Sequence, residues 1–163
     1  MAEAGCIHDA HFNNLEVSGD TLLGNTNLKK KVINLTADTT LNETQSGSVI
    51  RTNDADCKIT LPTITASNIG INYTFFIETT ATDLDIKTDG TDKFVGGVYI
   101  GVNNDAGKTF ISAATNDFIT MNGTTKGGIV GSSVTVTAVN TDKYHVSGIL
   151  LGSGAPATPF DDD

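Results

Sequence analysis

From Val32 onward the chain repeats one device: a short apolar run, then a cluster of turn residues, then another run. This recurrence limits the fold more than any other feature. The runs span 32–35, 48–51, 58–61, 73–78, 84–87, 98–100, 109–111, 118–121, 134–139 and 144–151. Several alternate apolar and polar residues with a period of two, the mark of a strand with one buried and one wet face. Thr is the usual wet-face residue, its β-branch suiting a pleated surface. Between the runs stand Asn53-Asp54-Ala55-Asp56, Asp89-Gly90-Thr91-Asp92, Asn103-Asn104-Asp105-Ala106-Gly107 and Asn122-Gly123, all turn chemistry. No segment carries a helical period. The pattern predicts an all-β protein, a jelly-roll-like β-sandwich or barrel of about ten short strands.

A chain of 163 residues is long enough to bury a proper core in one domain. The stretch 1–30 differs from the rest and predicts an extended N-terminal arm. Its apolar residues Phe12, Leu15, Val17, Leu22 and Leu23 have no core of their own, so they must lie on the chain's own domain, a sister subunit or a partner. Lys29-Lys30-Lys31 marks a solvated junction. The β-sandwich domain follows over 31–152. Residues 153–163 combine Gly, Ser, Ala and Pro with three terminal aspartates and predict a flexible acidic tail.

The net charge of −9 opposes sequence-independent nucleic-acid binding, which needs a basic face to displace counterions from phosphates. It opposes an anionic membrane surface equally. The start has neither the basic residues nor the apolar run of an export signal, so the expectation is a soluble protein made in a cytoplasm.

Motifs with chemistry are sparse. Gly101 to Thr109 resembles a phosphate-cradling loop, but five residues rather than four separate its glycines, and Thr109-Phe110-Ile111 continues as a strand. A hairpin loop is the preferred reading. Cys6, His8 and His11, with Cys57, are metal-ligand types in no familiar zinc spacing, so no metal is expected. His145 sits on a late strand, where a solvated ring is the default. Asp83, Asp85, Asp89 and Asp92 form the most acidic cluster, but Lys87 falls where a calcium loop needs a further acid. Turn residues are the preferred reading there too. Tyr73, Phe75 and Phe76 read as core rather than as a stacking platform for a sugar or base. No nucleophile elbow or acid/base carboxylate pair stands out, so neither a catalytic residue nor a cofactor is expected.

The order of elements carries a resemblance. It runs through Val32-Ile33-Asn34-Leu35-Thr36-Ala37-Asp38-Thr39-Thr40-Leu41, Gln45-Ser46-Gly47-Ser48-Val49-Ile50, Ile59-Thr60-Leu61-Pro62, Gly70-Ile71-Asn72-Tyr73-Thr74-Phe75, Gly90-Thr91-Asp92 and Val146-Ser147-Gly148. It covers roughly residues 32–152 and is similar to the head decoration (cement) proteins of tailed bacteriophages and to modules of their tail fibres. Asn14-Leu15-Glu16-Val17-Ser18-Gly19-Asp20-Thr21 also resembles strand-turn repeats of trimeric fibres.

The resemblance implies a non-enzymatic virion protein, a homotrimer on the outer surface of the capsid that bridges major capsid protein subunits and reaches them with its N-terminal arm. The acidic balance leaves no nucleic-acid and no membrane partner expected. On the virion reading Phe12, Leu15, Val17, Leu22 and Leu23 are capsid or subunit contacts. A tail or fibre component, or a receptor- or glycan-binding β module, is the alternative.

Overall fold

A computed structural model describes residues 29–103 and 106–162. The predicted N-terminal contact residues Phe12, Leu15, Val17, Leu22 and Leu23 lie outside the described residues. The protein is all-β, as expected. Its strands are β1 (Val32–Leu35), β2 (Thr39–Thr40), β3 (Val49–Thr52), β4 (Lys58–Thr60), β5 (Asn72–Ile77), β6 (Leu84–Lys87), β7 (Lys93–Val102), β8 (Lys108–Ile111), β9 (Phe118–Met121), β10 (Ser133–Asn140), β11 (Lys143–Gly152) and β12 (Phe160–Asp161). One turn of 3-10 helix, Glu43–Gln45, sits between β2 and β3 and is closed by a reciprocal cap between Asn42 and Gln45.

The strands form a seven-stranded sheet in the order β1-β3-β5-β10-β11-β7-β8 and a five-stranded sheet in the order β12-β9-β6-β4-β2. From β1 to β6 the chain changes sheet at every step. Consequently β1, β3 and β5 run parallel in one sheet, and β2, β4 and β6 run parallel in the other. These are stacked coils, each contributing one strand to each sheet. Beyond β6 the pairings are antiparallel, except for β11 beside β7. The order therefore departs from a jelly roll, whose strands are antiparallel Greek keys. The physical reason is the connection. A strand that crosses to the opposite sheet before returning comes back in its original direction, whereas a hairpin reverses it.

A single hydrophobic core gathers side chains from both sheets. Across the smaller sheet the register lines up Thr39, Ile59, Ile86, Ile119 and Phe160. Across the larger it lines up Ile33, Ile50, Phe75 and Val134. Ile50, Phe75, Ile59, Ile86 and Ile119 are fully buried, each such side chain worth about 1.5–3 kcal/mol of transfer free energy. Two tyrosine hydroxyls inside the core find backbone acceptors: Tyr73 donates to the carbonyl of Asn42 at 2.9 Å and Tyr144 to that of Pro62 at 2.7 Å.

Three expectations change. The stretch 153–163 is not a flexible tail over its described length, because Phe160 is buried and pairs with Ile119 to make β12 the edge of the smaller sheet. Asp162 adds a clasp, accepting hydrogen bonds from Thr115 at 2.9 Å and Asn116 at 2.7 Å. The run at 98–100 extends to the ten residues of β7. Gly96 and Gly97 conceal this in the sequence, since glycine is weak in strands. Gly96 has a φ of +125°, and a Cβ there would strike the carbonyl oxygen of Val146. Of the three aromatic residues on β5, Tyr73 and Phe75 are core as expected, but Phe76 lies on the outer face and is only half-buried.

Candidate functional site

Side chains that point away from the core on β7, β8 and β11 form an apolar outer face. On β11 these are His145, Ser147, Ile149 and Leu151; on β7, Val95, Gly97, Tyr99 and Gly101; on β8, Thr109 and Ile111. The register places Ile149 beside Tyr99 and Ile111 beside Gly97. Val95 is 43% exposed, Tyr99 44%, Ile149 57% and Ile111 77%. Single exposed apolar residues need no explanation, but neighbours across paired strands make a contiguous patch of the kind that marks an interaction surface. The ring of Tyr99 lies across Gly101, where a Cβ would come within 3.4 Å of Cε1, and across Gly107, where a Cβ would collide with the hydroxyl. The glycines thus leave room for the aromatic ring at the centre of the patch.

Next to this face, Val102, Asn103, Ile129, Gly152, Ser153, Gly154 and Ala155 line a shallow cavity of about 290 Å³. Its lining contains no ionisable side chain, so it offers shape and backbone polar groups but no acid, base or nucleophile.

The acidic cluster expected near residue 90 is dispersed into three roles. Asp89 closes a turn, its carboxylate accepting from the backbone N–H and hydroxyl of Thr91 and from the N–H of Asp92. Burial alone would raise its pKa, but these bonds and one from Thr63 prevail and hold it down to about 2. Asp92 is buried and accepts the N–H of Ile64 at 2.8 Å; desolvation pushes its pKa up against that bond. Asp83 is exposed. Asp85, on the outer side of the smaller sheet, is buried with Lys58 at 3.9 Å, and its Oδ1 has no hydrogen-bond partner among the described residues. Desolvation raises its pKa too, opposed by the Thr120 hydroxyl.

The remaining sequence candidates take plain roles. Gly101 to Thr109 spans the β7–β8 connection, and Lys108 pairs with Ile100 in the ladder, so the hairpin reading stands. Cys57 is fully buried; desolvation, helped by Asp54, Asp38, Asp56 and Asp85, pushes its thiol up to about 11 and keeps it a neutral, unreactive core group. Cys6, His8 and His11 lie outside the described residues. His145 is exposed on β11, as anticipated. Among the described residues no group of three or more His, Cys, Asp or Glu could hold a metal ion, and no helix is long and apolar enough to cross a membrane.

The apolar face itself escaped the sequence reading. A usable signal was present: Tyr99-Ile100 and Ile149-Leu150-Leu151 place apolar residues on successive positions, so both faces of those strands are apolar.

Compared with protein-family models, curated proteins and solved structures, the chain matches none.

Proposed function

We propose that the protein is a non-enzymatic structural component of a tailed-phage particle, a homotrimeric decoration protein that binds the outside of the head and braces junctions between major capsid subunits. The observation that carries the reading is the apolar outer face of β7, β8 and β11, with Tyr99, Ile111 and Ile149 exposed on a rigid sheet. A face of this kind gains by being covered, and its fixed backbone loses little entropy on binding. A protein that binds assembled shell subunits but not free ones stabilises the assembled state by mass action. Three copies on one body raise the effective concentration of each contact. The net charge of −9 discourages adhesion to DNA during assembly.

Quantitative mass spectrometry of purified particles tests this. The expected result is a copy number close to that of the major shell subunit, because only the capsid lattice offers so many equivalent sites. In addition, Ile111→Asp with Ile149→Asp abolishes particle binding while leaving the isolated protein's thermal midpoint within a few degrees, both side chains being exposed. Absence from the particle, or undiminished binding by that variant, defeats the proposal. A tail or fibre component is the second reading, favoured by the stacked parallel coils of β1 to β6, a build suited to extended shafts; a handful of copies per particle would select it.

A further inference from the structure

The core stays open at one corner of the described body. On β7 the even-numbered side chains face inward, and Phe94, Val98 and Ile100 are buried. Val102 ends the same series but is only half-buried. Its partner across the ladder, Gly152, has no side chain to cover it, and a Cβ at Gly152 would strike the carbonyl oxygen of Thr124. Leu151 is half-buried as well, and so is Ile129, whose N–H donates to the Leu151 carbonyl at 3.0 Å. These three aliphatic side chains border the cavity of about 290 Å³ beside the apolar face and one of about 260 Å³ that adjoins it.

The chemistry of the opening narrows what can fill it. Among the described residues no ionisable side chain lines it, so a charged group would lose water there without gaining a partner. Asn103 and Ser153 supply its polar side chains, and the Ser153 hydroxyl already donates to the carbonyl of Gly123 at 3.4 Å. That leaves little to replace the hydration of a sugar, whose hydroxyls all need partners. Small-molecule sites run from about 300 to 1,000 Å³, so this opening suits a single ring rather than a larger ligand. Its position supplies the source of that ring. Gly101 and Leu151 pair on the outer side of β7 and β11, two residues beyond Tyr99 and Ile149. The opening is therefore continuous with the apolar face, and whatever covers that face passes over it.

We infer that this opening is a socket for one uncharged aromatic side chain, a Phe, Tyr or Trp of the shell subunit that covers the apolar face. The inference rests on the proposed function and names the chemistry of its contact. The ring lies against Val102, Ile129 and Leu151 and displaces water from side chains that the fold leaves half-covered. Gly152 and Gly154 keep the socket open, since neither has a side chain to fill it. Aromatic anchors seated in pockets are where interfaces concentrate their binding energy, with flatter contacts around them excluding water.

Ala155 is exposed at the rim, so Ala155→Trp closes the socket from outside the core, whereas Ala157→Trp places the same side chain beyond the lining. NMR titration of the isolated full chain with indole, a free aromatic ring, is expected to give saturable shifts at Val102, Ile129, Gly152 and Gly154. Ala155→Trp removes these shifts and Ala157→Trp retains them. On purified particles Ala155→Trp should bind about tenfold or more weakly, with Ala157→Trp unchanged. Absence of localised indole shifts overturns the inference. So does glucose shifting the same residues where indole does not, which would make the site a sugar's. A change of oligomeric state confined to Ala155→Trp would make the occupant a second copy and refute the assignment. Equal particle binding by both variants and the unaltered chain overturns the socket but leaves the proposed function standing. Absence of the unaltered chain from particles defeats the proposed function and, with it, the partner named here.

Discussion

The parallel coils of β1 to β6 and the later strands β7 to β12 enclose one core by different means. In the coils no strand exceeds six residues, and β3 and β4 are each held between the coils on either side. Side-chain clamps such as Asp38 to the N–H of Lys58 secure the successive turns. In the later half β7 and β11 reach ten residues, pair along their full length, and carry an apolar outer face as well as an inner one. The coil half places most of its apolar residues in the core, with Val32, Ile69 and Phe76 as exceptions. The later half has some to spare, and those are what a partner can use. The halves are joined by the β5–β10 and β6–β9 ladders and by side-chain hydrogen bonds such as Tyr144 to the carbonyl of Pro62 and the N–H of Ile64 to Asp92.

The largest expected effect tests whether the coils are as firmly packed in the middle as they are open at the end. Ile86→Ala, at the centre of its row and fully buried, is expected to cost about 2–5 kcal/mol in denaturant unfolding. Ile33→Ala, in the terminal coil of the described body and only partly buried, should cost clearly less; equal losses would mean that Ile33 is covered as completely as Ile86.

A smaller effect probes the stitching. Tyr144→Phe leaves the Pro62 carbonyl without its donor and should lower stability by about 1–2 kcal/mol. If the stitch matters to cooperativity, exchange protection should fall in the β4–β5 connection more than at the outer edge of β8. A uniform loss would say that the halves melt as one unit regardless.

The smallest effect is pH-dependent and sits at the turn between the halves. Asp89→Ala removes an acceptor from two backbone N–H groups and a hydroxyl and should cost of order 1 kcal/mol at neutral pH. The folded pKa of Asp89 is lowered to about 2 from an ordinary value of 3.8. Its stabilisation is therefore fully present above about pH 4 and is lost as pH falls toward 2. The gap between wild type and variant should close over that window, and a gap unchanged at pH 2 would place the contribution in packing rather than in the ionised carboxylate.

Much of this architecture was visible in the residues. All ten predicted runs coincide with strands, because alternation is a local property and each run states its own buried face. β2 and β12 were missed because two residues cannot display a period, and Phe160 lay among Gly, Ala and Pro that signalled a loose end. Of the candidate site residues, Tyr73, Phe75 and His145 stand where expected. Consecutive apolar residues signalled an apolar outer side on β7 and β11, but that Tyr99, Ile111 and Ile149 share one face was not legible, since they are 12 and 38 positions apart along the chain and become neighbours only through strand pairing.

The sequence by itself determined that this protein is made of short strands and tight turns, that alternating runs carry one apolar and one polar face, and that its net charge is −9. Only the tertiary structure decided that strands β1 to β6 run parallel in alternating sheets, that Asp85 is buried, and that two apolar runs share an outer face. The division has a physical cause. Backbone and side-chain preferences act over a few residues, whereas partner, direction and register are chosen by which distant surfaces exclude water best when the whole chain closes on its core.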